Sequence, residues 1–196
     1  MAVFLLENRH YPVFLHLLEA IRGVQIYEDG RKAVEENIAD EHEPVPHADL
    51  MRRMMEAVRS RAREKLELAS YPALADRTLV FYYGYFRDPW HLVGSVFATE
   101  RMGTRRVRCM DRALRRLGLS DHELAFTTTH SECDDHHATD WLVRVIVPSI
   151  ERQPEVRESI ARGIAECLDT SRRYLDFVFR RAVDDRKMLS RSLRGA

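Results

Sequence analysis

At 196 residues the chain has the length of one ordinary domain and can bury a large apolar core without help from disulfides or a structural metal. Lysine and arginine together number 31, as do aspartate and glutamate, so no net charge draws the protein toward nucleic acid or an anionic membrane. Three cysteines, Cys109, Cys133 and Cys167, lack any Cys-x-x-Cys pairing, which speaks against a disulfide scaffold or a zinc finger and fits a reducing, cytoplasmic setting.

Apolar residues recur at spacings of three and four almost throughout, and strand-like alternation is nearly absent, so the predicted class is all-α, one domain over residues 1–196. Phe14, Leu17, Leu18 and Ile21 form a stripe that stops near Gly23. A second helix is expected from about Val24 or Arg31 to His42, broken by Pro44 and Pro46. His47 to about Leu68 reads as a third, with Leu50, Met54, Met55 and Val58 along it. Tyr71-Pro72 opens an aromatic fourth segment holding Phe81, Tyr82, Tyr83, Tyr85 and Phe86. Asp88 is an N-cap with Pro89 at the first helical position, and Gly118 stops the long helix that follows. The chain restarts at Ser120-Asp121, residues 126–150 hold a histidine cluster, and Gln153-Pro154 begins a last helix to about Val183. The Arg-rich stretches 105–116 and 172–194 are interleaved with apolar residues at helical spacing and read as solvated faces. The longest apolar runs, residues 3–6 and 79–86, fall far short of the roughly 20 residues of a membrane span, and the start lacks the layout of a secretory signal.

The densest chemical signal is His130-Ser-Glu-Cys-Asp134-Asp-His-His137, a His-x-x-x-Asp-x-x-His pattern. On a helix these three positions fall within an arc of roughly 60°, so their side chains converge. Two imidazoles and a carboxylate suit iron or manganese. The plainer alternative is a polar helix facing water. Two further places hold carboxylate or histidine in otherwise apolar helix. Glu100 closes the run Val93-Gly-Ser-Val-Phe-Ala-Thr, and a carboxylate facing that core needs a cation; otherwise the helix simply turns its polar face there. In residues 37–47 a carboxylate near a helix end and a histidine past a proline break can approach one point from two elements, although a charged helix terminus reads the same way.

Together these stretches resemble the haem-oxygenase-like di-iron oxidases and oxygenases, over about Asn37 to Phe177. The resemblance is carried by Asn-Ile-Ala-Asp-Glu ending at Glu41 with His47 following, by Gly-Ser-Val-Phe-Ala-Thr-Glu ending at Glu100, and by Phe-Thr-Thr-Thr-His ending at His130 and running into Asp134 and His137. It implies a haem-oxygenase-like bundle of about six to seven helices and two irons held by Glu41, His47, Glu100, His130, Asp134 and His137. It further implies dioxygen as co-substrate and a peroxo-bridged diferric species formed from two ferrous ions. The expected outcome is N-oxygenation, or oxidative carbon–carbon cleavage or decarboxylation, of a small amine- or carboxylate-bearing substrate. Manganese is an alternative occupant of one site, and an external electron donor is an implied partner.

Two departures from that pattern matter. The first Glu and His stand six apart, one fewer than the family's spacing, so Asp40 is an alternative to Glu41. The chain is also expected to begin near the family's second helix, with little ahead of Glu7, and a homodimer would cover the part of the bundle left open. Ferritin-like di-iron proteins need two Glu-x-x-His pairs, and only Glu7-Asn-Arg-His10 has that spacing. His-Glu-x-x-His, Gly-x-Gly-x-x-Gly and Walker loops are absent. Competing readings are the metal-free thiaminase-II or quinone-cofactor-synthase branches of the same fold, and a non-catalytic helical binding protein. Trp90 and Phe97 join the aromatic region expected mostly in the core. Arg162, Arg172 and Arg173 are candidates for a substrate carboxylate that more readily read as surface residues, and Cys133 points away from the ligands.

Overall fold

The computed structural model describes residues 11–24, 26–61 and 88–192, and every regular element among them is a helix. The aromatic segment expected from Tyr71 to Phe86 and the expected end of the third helix near Leu68 lie outside the described residues. Helix α1 (Tyr11–Ala20) ends in a 3-10 turn at Ile21–Gly23. Helix α2 (Glu28–His42) opens with Glu28 and Asp29, negative charge at the positive end of the helix dipole. After the Pro44 and Pro46 break, His47 is the first residue of α3 (His47–Arg61). Helix α4 (Pro89–Arg115) starts as the sequence suggests: Pro89 follows Asp88, whose carboxylate accepts the His91 N–H at 2.7 Å. Gly118, with φ of 81°, turns the chain after α4, and Leu119 N–H closes back on Leu114 O.

Helix α5 (Ala125–Asp140) runs through a π turn at Trp141–Ile146 into α6 (Val147–Arg152). A 3-10 turn at Pro154–Val156 precedes α7 (Arg157–Ser192). That last helix passes the expected end at Val183, because the following residues hold no glycine or proline until Gly195. No helix among the described residues is long and apolar enough to cross a membrane.

Helices α4 and α7 meet where neither has a side chain. A Cβ on Gly94 would lie 2.2 Å from Ile160 O, and one on Gly163 would lie 2.1 Å from His91 O. Ser95 Oγ donates to His91 O at 2.9 Å beside this crossing, and Ser159 Oγ donates to the Asp88 cap, so the start of α4 is anchored on α7.

Among the described residues two large apolar clusters fill most of the interior, and a small third joins Ala98 on α4 to Cys167 on α7. The first joins α1, α2, the first half of α4, the π turn and the start of α7 through residues such as Leu18, Val34, Ile38, Val93, Val96, Trp141 and Ile160. The second joins α3 to the end of α4 and the start of α5 through Leu50, Met54, Val58, Val107, Leu114, Leu124 and Phe126. Along the chain, buried polar residues fall between the stretches that serve the two clusters. Glu100 lies between Val96 and Val107, His130 and His137 lie between Phe126 and Trp141, and Glu41 and His47 lie between Ile38 and Leu50. The bundle thus has a buried polar seam.

Because the contacted atoms at the α4–α7 crossing are backbone, Gly163→Ala is expected to push the helices apart at a cost of roughly 1–3 kcal/mol. Thermal unfolding would show this as a midpoint several degrees lower, and an unchanged midpoint would contradict the tight crossing.

Candidate metal centre

The seam holds two adjoining groups of side chains. The first is built at the α2–α3 junction. Glu41, one residue from the end of α2, and His47, the first of α3, are folded together by the intervening prolines, and His47 Nδ1–H donates to Glu41 Oε2 at 3.0 Å. Both are almost wholly buried, at 3% and 2% exposure. Helix α5 adds His130, whose Nε2 lies 3.9 Å from Glu41 Oε1 and whose ring centroid is 4.6 Å from that of His47. His130 Nδ1–H donates to Phe126 O at 2.9 Å, one turn back on its own helix. That bond sets the tautomer and leaves Nε2 as the lone-pair nitrogen turned toward Glu41. One donor atom from each of Glu41, His47 and His130 lies within 4.8 Å of the other two.

His137 and Glu100 form the second group. Glu100 comes from α4 and is buried, with Oε2 3.8 Å from His137 Nδ1. The other ring nitrogen of His137, Nε2, is 2.9 Å from Asp40 Oδ2. Asp40 and Glu41 are neighbours in sequence yet serve different histidines: Glu41 reaches His47 and His130, and Asp40 reaches His137. His130 and His137 share one face of α5, as their spacing predicts, but two turns of rise separate them by about 10 Å along the axis, so they engage neighbouring groups rather than a single point. Asp134 lies between them on α5, and its side chain is outside the described ones.

The chemistry of the first group suits a metal. Two imidazoles and a carboxylate, held near one another and away from water, match the donor preference of first-row transition metals, and a buried carboxylate calls for a cation. Burial pushes the His130 imidazole down to about 4; the Glu41 carboxylate opposes that shift, and His47 and His137 add to it. An imidazole kept unprotonated near neutrality is the form that binds a metal.

Asn37 and Trp141 belong to the seam but were not among the candidates from sequence. Asn37 Nδ2 lies 2.9 Å from His137 Nδ1, and Trp141 Nε1–H donates to Asn37 Oδ1 at 2.9 Å. The available signal was positional: Asn37 is a polar residue on the apolar face that carries Val34 and Ile38, one turn before Glu41. The other candidates fall where the sequence favoured. Trp90 and Phe97 pack against the first apolar cluster. Arg162 pairs with Glu158, and Arg172 and Arg173 pair with Asp169 on the surface of α7. Cys133 Sγ turns back to Thr129 O.

Residues 6–172 match the model of a protein family described as iron-containing redox enzyme. A comparison with curated proteins gave no match.

The low-lying His130 has a consequence for stability. An unfolded histidine titrates near 6.5, whereas His130 in the fold titrates near 4, so the unfolded chain takes up this proton first. The metal-free protein is therefore expected to lose on the order of 2–3 kcal/mol as pH falls from 6.5 to 4, with no contribution from this group above 6.5. Urea unfolding across that range reads the slope, and His130→Gln should flatten it.

Proposed function

The chain belongs to the family of iron-containing redox enzymes, and we propose that it is a non-haem di-iron oxidase or oxygenase. The observation that carries the reading is the buried Glu41–His47–His130 group, with donor atoms within 4.8 Å of one another. In this proposal these three hold one iron, and Glu100, Asp134 and His137 hold the other. Glu41 is assigned to the first iron because it already reaches both His47 and His130. Asp40 is assigned to support His137 from outside the donor set.

Two ferrous ions held by these residues would supply the electrons that activate dioxygen. The chain's own part is to set the donors. The Phe126 carbonyl fixes the His130 tautomer, and the junction between α2 and α3 holds His47 against Glu41. The two apolar clusters keep bulk water from the carboxylates, which strengthens their attraction for a cation. The substrate in this reading is a small amine- or carboxylate-bearing molecule, oxidised by N-oxygenation or by carbon–carbon cleavage or decarboxylation. A cytoplasmic homodimer of six- to seven-helix bundles, an external electron donor and manganese as alternative occupant of one site complete the proposal.

Anaerobic addition of ferrous iron to the purified protein, followed by dioxygen, tests it. About two irons per chain, oxygen consumption and a transient visible absorption band are expected. His130→Ala should lower iron uptake by about one per chain and abolish the band. Absence of iron binding by the wild-type protein would sink the proposal.

A further inference from the structure

His137 is held on both ring nitrogens, and the direction of each bond follows from its neighbour. The Trp141 indole N–H can only donate, so the Asn37 group facing it at 2.9 Å is the amide oxygen. Asn37 therefore presents its NH2 to His137 Nδ1, also at 2.9 Å. An amide NH2 donates and does not accept, so Nδ1 is the accepting nitrogen. The ring proton sits on Nε2 and is donated to Asp40 Oδ2 at 2.9 Å. Asn37, His137 and Trp141 are 2%, 5% and 1% exposed, so water does not compete for the Trp141–Asn37 and Asn37–His137 bonds, whereas the Asp40 end of the chain meets solvent. The chain of donors runs Trp141, Asn37, His137, Asp40.

The accepting nitrogen is also the one nearest Glu100, whose Oε2 lies 3.8 Å away. A cation shared by His137 and Glu100 would take the Nδ1 lone pair that the Asn37 amide engages, and one lone pair cannot serve both. We infer that Asn37 competes with the second metal: it occupies the His137 Nδ1 lone pair that faces Glu100 and must release that nitrogen when a metal binds there. The inference rests on the di-iron reading above. Asn37 lies one turn before Glu41, and Trp141 one turn after His137, so release of the amide is felt at the Trp141 indole. The competing hydrogen bond weakens the second metal roughly three- to tenfold, the net worth of one such bond.

Zinc(II), which takes the same imidazole and carboxylate donors without redox change, is the probe. It is titrated into metal-free, 15N-labelled protein, with the indole signals of Trp90 and Trp141 distinguished by Trp90→Phe. The expected result is that the Trp141 indole resonance moves with the second equivalent, and that Asn37→Ala binds this equivalent roughly three- to tenfold more tightly by calorimetry while the first is unchanged. Uptake of two equivalents with the Trp141 indole unmoved, or with second-equivalent affinity in Asn37→Ala equal to or below wild type, overturns the inference and leaves the two-metal reading standing. Uptake of fewer than two equivalents overturns both, and stoichiometry alone distinguishes that case. Should Asn37→Ala fail to fold, the indole titration of the Trp90→Phe protein decides.

Discussion

Burial of Glu41 and Glu100 between two apolar clusters is the constraint around which the rest of this bundle is arranged. An ionised carboxylate removed from water costs several kcal/mol unless opposite charge or good donors meet it. Each has a histidine within 4 Å: His47 and His130 beside Glu41, His137 beside Glu100. The seam is therefore a place where charge is concentrated and water excluded, and such a place gains most from a bound cation.

Several local features serve this seam. The π turn at Trp141–Ile146 follows His137 by one turn, a position where π segments commonly accompany functional sites. It packs on α2 where Gly30 leaves room: a Cβ there would lie 2.7 Å from Arg144 O. Arg144 then reaches Glu36 and Asp29 on α2 and Asp140 on α5. These contacts join α2 to the π turn and to α5 beside the point where Asn37 meets His137. On the far side, the glycine crossing of α4 and α7 fixes the line of the helix that carries Glu100.

The seam also distinguishes its two halves. His130 is oriented by a backbone carbonyl of its own helix, a short-range bond that α5 makes by itself. His137 is oriented by Asn37, which depends on α2, and by Trp141, which depends on the first apolar cluster. One histidine is thus set by local structure and the other by tertiary packing, and the second half of the site answers to any movement between α2 and α5.

The sequence by itself determined the helical class, the Asp88 cap, the Gly118 stop, and the placing of His130 and His137 on one face, because these follow from periodicity and local backbone chemistry. It also singled out Glu41, His47 and Glu100 as polar residues in apolar surroundings. Only the tertiary structure decided that Glu41 faces His47 and His130 while Asp40 faces His137, and that Asn37 and Trp141 join them. Helical spacing tells which residues share a face but carries no information on the rotation and height of one helix against the next. Those were decided by side-chain volume at the crossings, above all at Gly30, Gly94 and Gly163, where backbone comes close enough to leave no room for a Cβ.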